Sequence, residues 1–122
     1  MLALGNRVRT STDFSHTVRS GARSGRRNVV LYAVKTGENP TRVGFIVAKS
    51  VGNAVTRNLV KRRLREAAAQ SLREYPSGFD VVVRALPPAA TATWQELRTD
   101  YMGALRTCAG KVDRTRLLSQ KG

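Results

Sequence analysis

Residues 49–73 read KSVGNAVTRNLVKRRLREAAAQSLR, the stretch in which the chain concentrates its basic residues. Helix-forming residues dominate it, and no Gly or Pro interrupts residues 54–75, which predicts a helix. Asn53 is the predicted N-cap, and the sequence YPSG at 75–78 supplies a stop. Within residues 57–65, five of nine side chains are Lys or Arg and none is acidic. The predicted helix therefore carries a dense positive charge.

The polar residues of this helix fall on one side when the sequence is wound at about 100° per residue. The following side chains share an arc of roughly 140°: Arg57, Asn58, Lys61, Arg62 and Arg65. A neighbouring apolar arc holds Val60, Leu64 and Ala67, which predicts that this side is buried. Like charges at i and i+4 repel, so a helix designed only for solvation would interleave Glu. A solvated basic face without a ligand is the alternative that the residues alone leave open.

The net charge of the chain is extreme for its length. The 122 residues carry a formal charge of +14. Residues 1–65 hold 14 basic and 2 acidic side chains, whereas residues 66–122 hold 8 and 6. A positive field of this strength predicts a polyanionic partner. A membrane surface is the competing partner, but the basic helix has no Trp or Phe on its apolar side, so nucleic acid is favoured.

Length and residue usage predict a single domain that spans residues 1–122. The lone cysteine, Cys108, excludes an internal disulfide and a Cys-cluster metal site, and the lone His16 cannot form a His-based site by itself. No apolar run reaches transmembrane length, and no signal peptide is recognisable. We therefore expect a cytoplasmic protein that does not associate with membranes.

Several further elements are predicted outside the basic helix. A short helix is expected to begin after Thr12 as its N-cap and to close at Gly21. Strands are predicted at residues 29–34 (VVLYAV) and 42–48 (RVGFIVA), paired as a hairpin across the loop TGENPT. The run DVVVRA at 80–85 predicts a third strand, of the kind that lies inside a sheet.

A capping box formed by Thr93 and Glu96 predicts the start of a C-terminal amphipathic helix. Its apolar residues recur at three- and four-residue spacing: Trp94, Leu97, Tyr101, Leu105, Cys108 and Val112. In this stripe Cys108 is interpreted as a small core residue. Trp94 is interpreted as core or edge packing rather than as a platform for base stacking.

The sequence contains no recognisable catalytic constellation. A nucleophilic triad would have to use His16, which has no evident partner. Carboxylates are few and scattered, so neither a two-metal site nor a paired-acid site is indicated. No phosphate-binding G-x-x-x-x-G-K-[ST] loop is present. The chain is therefore predicted to bind a polyphosphate backbone rather than to be an enzyme by itself, and a sheet combined with a basic helix favours RNA over duplex DNA.

The stretch SVGNAVTRNLVKRRLR at 50–65 resembles the arginine- and asparagine-rich motif of the bacterial ribonuclease P protein subunit. In that motif G-N-A-V is followed by R-N, then by K-R and then by R, at strict spacing. The resemblance extends upstream through TDF at 12–14, VVLYAV at 29–34 and RVGFIVAKS at 42–50. It covers almost all of the chain.

The resemblance implies an α+β fold with the element order α-β-β-β-α-β-α. This is a two-layer sandwich similar to the second domain of ribosomal protein S5, with an unusual left-handed βαβ crossover. The extra strand that this order requires would lie in residues 22–28.

The resemblance also implies a function in removing the 5′ leader of precursor tRNA. The chemistry would belong to a catalytic RNA with its Mg²⁺ ions, and the protein would bind no cofactor itself. Its partners would be that catalytic RNA and the precursor tRNA. The implied RNA-binding positions are Asn53, Arg57, Asn58, Lys61, Arg62 and Arg65. The implied leader-binding positions are Phe14, Val18, Tyr32 and Lys49.

Two departures from the family pattern affect these expectations. Val18 stands where the family often has a second aromatic residue, so weaker stacking is expected at that end of the leader cleft. Arg84 is followed by Ala85 and Leu86 rather than by basic residues, so the sequence does not predict a leader contact from the last strand.

On the residues alone, Phe14 is a core anchor. The alternative functions are a structural ribosomal RNA-binding protein and a duplex-DNA-binding module.

Overall fold

The fold is given by a computed structural model that describes the backbone of residues 2–121 and the side chains of residues 2–113. Helices and strands follow the order α1 (Ser11–Ser20), β1 (Ala22–Gly25), β2 (Val29–Pro40), β3 (Arg42–Ile46), α2 (Ala54–Ser71), β4 (Ser77–Ala85) and α3 (Trp94–Lys121). Short 3₁₀ helices lie at Leu4–Asn6, Lys49–Val51 and Pro87–Ala90. The predicted α+β fold and its element order are confirmed, including the extra strand within residues 22–28.

The strands form one sheet in the order β1-β2-β4-β3. β4 is antiparallel to β2 on one side and parallel to β3 on the other. Val81, Val82 and Val83 of β4 are all 0% exposed, so the most apolar strand lies where both faces of the sheet are covered. The hairpin predicted between β2 and β3 is wrong, because β4 separates these two strands.

The segment TGENPT, predicted as a loop, is mostly strand. β2 continues to Pro40 with an irregular register after Lys35, and Pro40 pairs with Ser77 at the start of β4. The Thr41 N–H then donates to the Pro76 carbonyl oxygen at 3.1 Å. The chain thus passes the beginning of β4 and forms β3 on its far side, which creates a parallel β3-α2-β4 unit. The left-handed crossover of this unit stays a prediction.

Helices α2 and α3 pack on one face of the sheet. The predicted apolar arc of α2 is buried, with Val60, Leu64 and Ala67 at 1% exposure or less. Strand residues such as Leu31 and Val83 face this layer and share its core. The predicted apolar side of α2 is therefore confirmed, and the opposite side of the helix is directed away from the sheet.

The predicted stripe of α3 forms the rest of this core. Leu97, Tyr101, Leu105 and Cys108 are fully buried, while Trp94 and Val112 at its two ends are half-buried. The start of the helix also follows the prediction. The Thr93 N–H donates to the Glu96 carboxylate at 2.8 Å, and the Glu96 N–H donates to Thr93 Oγ1 at 3.1 Å.

Cys108 is a core residue, as predicted. Its thiol lies 3.4 Å from the carbonyl oxygens of both Ala22 and Leu31. Burial raises the pKa of the Cys108 thiol to about 11. The thiol therefore stays protonated at neutral pH, which makes it a poor nucleophile.

The N-cap of α2 was predicted correctly, whereas that of α1 was not. Asn53 caps α2 as predicted, because its Oδ1 accepts a hydrogen bond from the Thr56 N–H at 2.9 Å. The cap of α1 is Thr10, whose Oγ1 accepts from the Asp13 N–H at 3.1 Å, so the assignment to Thr12 is wrong. Thr10 stands three residues before an acidic residue, which is the spacing of a capping box.

Arg42 joins α1 to the sheet face opposite α2 and α3. Its Nε and Nη2 donate to the two carboxylate oxygens of Asp80 on β4 at 2.9 and 2.6 Å. Its Nη1 donates to Asp13 on α1 at 3.2 Å. The hydrogen bonds with Asp80 are the main cause that raises the pKa of the Arg42 guanidinium above its usual value. One cation on β3 therefore holds α1 and β4 together.

Replacing Arg42 with Ala is expected to lower the free energy of unfolding by about 2 to 3 kcal/mol. The reason is that Asp80, only 7% exposed, would stay buried without its cation. This value lies below the roughly 3 to 5 kcal/mol expected for a fully buried pair, because the Arg42 side chain is itself 34% exposed. Urea denaturation followed by circular dichroism measures the change.

Arg106→Ala is the matched control, since it breaks the exposed ion pair between Arg106 and Glu74. Exposed pairs contribute little, so this variant should unfold almost as the unmodified protein does. A loss for Arg42→Ala no larger than that of the control would show that the Arg42 contacts do not fix α1.

Candidate nucleic-acid interface

Helix α2 presents a positively charged surface on the side away from the sheet. The predicted polar arc comprises Arg57, Asn58, Lys61, Arg62 and Arg65, here termed the α2 basic face. Asn58, Arg62 and Arg65 are exposed, and the other two side chains are half-buried. The structure thus brings the predicted residues of this arc together on one surface.

Within the part of the chain whose side chains are described, Arg57 is the one member of the α2 basic face with a polar partner. Its Nε donates to the Gly52 carbonyl oxygen at 3.1 Å. Gly52 has a φ of 156°, and a Cβ there would lie 3.0 Å from Thr56, so the turn before α2 favours glycine. Asn53, also predicted to bind RNA, has its side-chain oxygen engaged as the N-cap. A contact of its amide nitrogen with RNA stays a prediction.

Most acidic side chains of the protein have partners elsewhere. Six of the eight make a polar contact: Asp13 and Asp80 with Arg42, Glu74 with Arg106, Glu96 with the Thr93 N–H, Asp100 with Asn28 and Asp113 with Lys35. None of these contacts involves the α2 basic face. Its positive charge is therefore not neutralised by the described side chains, and it is available to a polyanion.

A second surface lies between α1 and the sheet face that α2 and α3 do not cover. A groove of about 430 Å³ is lined by Phe14, Ser15, Val18, Arg19, Ile46 and Arg84, here termed the α1 cleft. The cleft combines apolar side chains with two cations. Neither Arg19 nor Arg84 has a polar side-chain partner among residues 2–113. Apolar surface next to free cations is the combination that single-stranded nucleic acid requires.

The predicted leader-binding residues are only partly brought together. Phe14 and Val18 both line the α1 cleft. Phe14 packs on Gly44, where an added Cβ would lie 2.6 Å from its ring. Gly44 pairs with Val82, and Val82 pairs with Tyr32, so Tyr32 lies on the same sheet face about 10 Å from Gly44. Tyr32 is half-buried and lies outside the cleft lining, farther along the same surface.

Lys49 lies apart from this cleft. It is exposed and begins the 3₁₀ helix that follows β3. It is not among the residues that line the α1 cleft. A contact between Lys49 and a leader stays a prediction.

Sequence reasoning did not assign two cations of the α1 cleft. Alternation along β4 buries Val83 and Ala85 against α2 and α3, so Arg84 is directed to the opposite face. The alternation is visible in the run DVVVRA. It identifies Arg84 as a cleft residue only once α1 is known to cover part of that face. Arg19 directly follows Val18 on α1 and was not marked by any motif. The structure therefore supplies a basic residue from β4 where the sequence predicted none.

The described part of the chain offers no evident metal centre, because it contains no group of three or more His, Cys, Asp or Glu side chains placed to hold an ion. Of the helices within residues 2–121, none has both the length and the apolar character needed to cross a bilayer.

Comparisons with known proteins agree on one family. The family model for Ribonuclease P matches residues 2–109. The "Ribonuclease P protein component" of Arthrobacter sp. (strain FB24) is 68% identical over 108 residues, which cover 88% of this chain and 79% of that protein. The structure of the Staphylococcus aureus RNase P protein superposes with a TM-score of 0.74 at 27% identity, covering 84% of this chain and 94% of that one. The RNase P protein from Thermotoga maritima gives a TM-score of 0.71 at 26% identity, covering 80% and 92%.

Proposed function

The chain belongs to the ribonuclease P protein family, and on this premise we propose how its two surfaces contribute to the maturation of tRNA 5′ ends. It is the protein subunit of the endoribonuclease and partners the ribonuclease P RNA. The α2 basic face binds that RNA, and the α1 cleft binds the single-stranded 5′ leader of precursor tRNA. The observation that carries the proposal is the α2 basic face, which has no acidic partner among the side chains of residues 2–113.

The α2 basic face suits the backbone of a folded RNA. Its cations stand on successive turns of one rigid helix, so they can contact several phosphates at once and release their counterions. Repulsion between Arg57 and Lys61, and between Lys61 and Arg65, costs a few tenths of a kcal/mol per pair in the free protein. Bound phosphates remove that cost. Asn58 adds an amide that can hydrogen-bond to RNA without contributing charge.

The α1 cleft suits an extended single strand. Phe14 offers a surface for stacking, while Arg19 and Arg84 can attract phosphates on either side of it. Tyr32 lies on the same sheet face and extends this surface toward β1. Val18 contributes apolar contact without an aromatic ring, so stacking is concentrated at Phe14 and Tyr32. A leader that runs from α1 across the sheet would meet these groups in succession.

The cleavage chemistry we assign to the catalytic RNA and the Mg²⁺ ions expected in its active site. The protein's part is to bind the RNA and to hold the leader in position. Positioning by bound groups is itself a source of rate enhancement, because it replaces a bimolecular encounter with an oriented one. We place this complex in the cytoplasm.

Single replacement of Lys61, Arg62 or Arg65 with Ala is expected to weaken binding to the ribonuclease P RNA. Each lost phosphate contact should lower the slope of log K against log salt by about 0.7 to 0.9. Filter binding at several salt concentrations measures both quantities. Asn58→Ala should lose affinity with an unchanged slope, because an amide releases no counterion.

Arg98→Ala is the control for this series, since Arg98 lies on α3 and bonds to Gln70 at 2.6 Å. It removes the same charge from a different surface and should leave the slope nearly unchanged. Slopes that stay the same for all three α2 variants would mean that the α2 basic face does not contact phosphates.

Replacing Tyr32 or Arg84 with Ala is expected to lower the affinity of the assembled holoenzyme for precursor tRNA. Stacking contributes roughly 1 to 3 kcal/mol per base, so Tyr32→Ala should weaken binding by about 5-fold to 150-fold. Affinity for mature tRNA, which has no leader, should be almost unaffected. Arg84 is exposed, so its variant separates leader binding from folding. Equal losses for precursor and mature tRNA would remove the α1 cleft as the leader site.

A further inference from the structure

A third groove opens at the outer edge of β3, where the sheet ends. Its volume is about 230 Å³. It lies between the N-terminal segment, β3 and α2, and the side chains that matter here are Leu4, Arg9, Phe14, Phe45, Lys61 and Arg65. This surface is termed the edge groove. It shares Lys61 and Arg65 with the α2 basic face, so the two surfaces are continuous.

The backbone of β3 is only partly covered at this edge. The Val8 N–H donates to the Val43 carbonyl oxygen at 3.2 Å, which shows that the polar groups of Val43 point away from β4. Backbone groups of alternate residues in a strand point to the same edge, so the N–H and C=O of Phe45 also point outward. The N-terminal segment pairs with β3 through the single bridge between Arg7 and Val43. Phe45 therefore presents a donor and an acceptor that no described residue uses.

The charge around the edge groove is positive. Arg9, Lys61 and Arg65 line it, and their side chains make no hydrogen bond or ion pair with the residues that the structure describes. No acidic side chain is part of the lining. Arg7, by contrast, donates to the Leu2 carbonyl oxygen at 2.9 and 3.2 Å, which secures the N-terminal segment that forms the wall.

We propose that the edge groove receives one unstacked nucleotide of the RNA that the α2 basic face binds. The base would contact the Leu4 and Phe45 side chains with its apolar surface and the Phe45 N–H and C=O with its polar edge. The adjoining phosphates would contact Arg9, Lys61 and Arg65. Stacking combined with hydrogen bonds to base edges is how proteins recognise unpaired RNA bases. This inference rests on the proposed function, because it requires RNA on α2.

The size and charge of the edge groove favour a nucleotide over other ligands. Pockets for drug-sized molecules usually measure about 300 to 1,000 Å³, so this groove suits a smaller, planar group. An extended peptide could also use the outer edge of β3, by adding a strand. The groove lining contains three cations that have no acidic partner within the described part of the chain, which disfavours every such peptide except an acidic one.

Leu4→Glu tests the proposal, with Ala3→Glu as the matched control. Leu4 is 64% exposed, so its replacement does not disturb the core. The new carboxylate would lie in the edge groove beside the cations, and affinity for the ribonuclease P RNA should fall by about 10-fold or more. Ala3→Glu adds the same charge one residue away, outside the lining, and should lower the affinity clearly less than Leu4→Glu does.

Chemical probing of the bound RNA supplies a direct readout. One base should be protected in complexes with the unmodified protein and Ala3→Glu, and it should react again in the complex with Leu4→Glu. Equal affinity and equal protection for the two Glu variants would overturn the proposal. If the α2 variants also bound RNA like the unmodified protein, the proposed function would fail as well, so the two failures are distinguishable.

A poly-glutamate peptide tests whether the edge groove binds an acidic peptide instead of a nucleotide. If the unmodified protein bound this peptide and Leu4→Glu did not, while the two bound the RNA equally well, the nucleotide proposal would be overturned in favour of strand addition by a peptide. Loss of RNA affinity and of base protection without peptide binding supports the nucleotide.

Discussion

One guanidinium sets the relation between α1 and the sheet. Arg42 bonds to Asp13 on α1 and to Asp80 on β4 from its own position on β3. The walls of the α1 cleft come from these same three elements, so the distance between its apolar side and its cations depends on the Arg42 contacts. Buried ion pairs are costly to desolvate, but they hold a defined geometry. The proposed binding of a single strand in the α1 cleft depends on that geometry more than on added stability.

The other charged side chains fall into two groups, those that pair across elements and those without an acidic partner among the described residues. The acids neutralise cations that join elements, as Glu74 does for Arg106 on α3 and Asp113 for Lys35 on β2. The cations of α2 and of the α1 cleft receive no such partner among the described side chains. Arg63 shows the contrast within one helix, because it turns away from the α2 basic face and donates to the Ala92 carbonyl oxygen at 2.9 Å. In a chain with a formal charge of +14, the acidic partners thus lie away from the α2 basic face.

Apart from the N-cap of α1, features with a local signal were predicted correctly from the sequence, and features that depend on distant pairing were not. The cap at Asn53, the α2 basic face and the α3 stripe all follow from residues a few positions apart, and each is present. The prediction of a β2-β3 hairpin failed because nothing in TGENPT (36–41) indicates that β4, which begins at Ser77, inserts between the two strands. The α1 cleft was only partly foreseen for the same reason. Whether Arg84 and Tyr32 face a groove or solvent depends on where α1 lies, and that is decided by tertiary contacts.

The position of β4 also determines the order in which the sheet can form. β2 and β3 leave the ribosome before β4, yet each pairs with β4 and not with the other. The sheet core therefore cannot close until residues 77–85 have been synthesised, and every contact that closes it spans a long loop. Loop closure of this kind slows folding relative to a chain of local hairpins. Because α2 precedes β4 in the sequence, its cations are present in the nascent chain before the sheet can close, so the chain is a polycation before it is a folded protein.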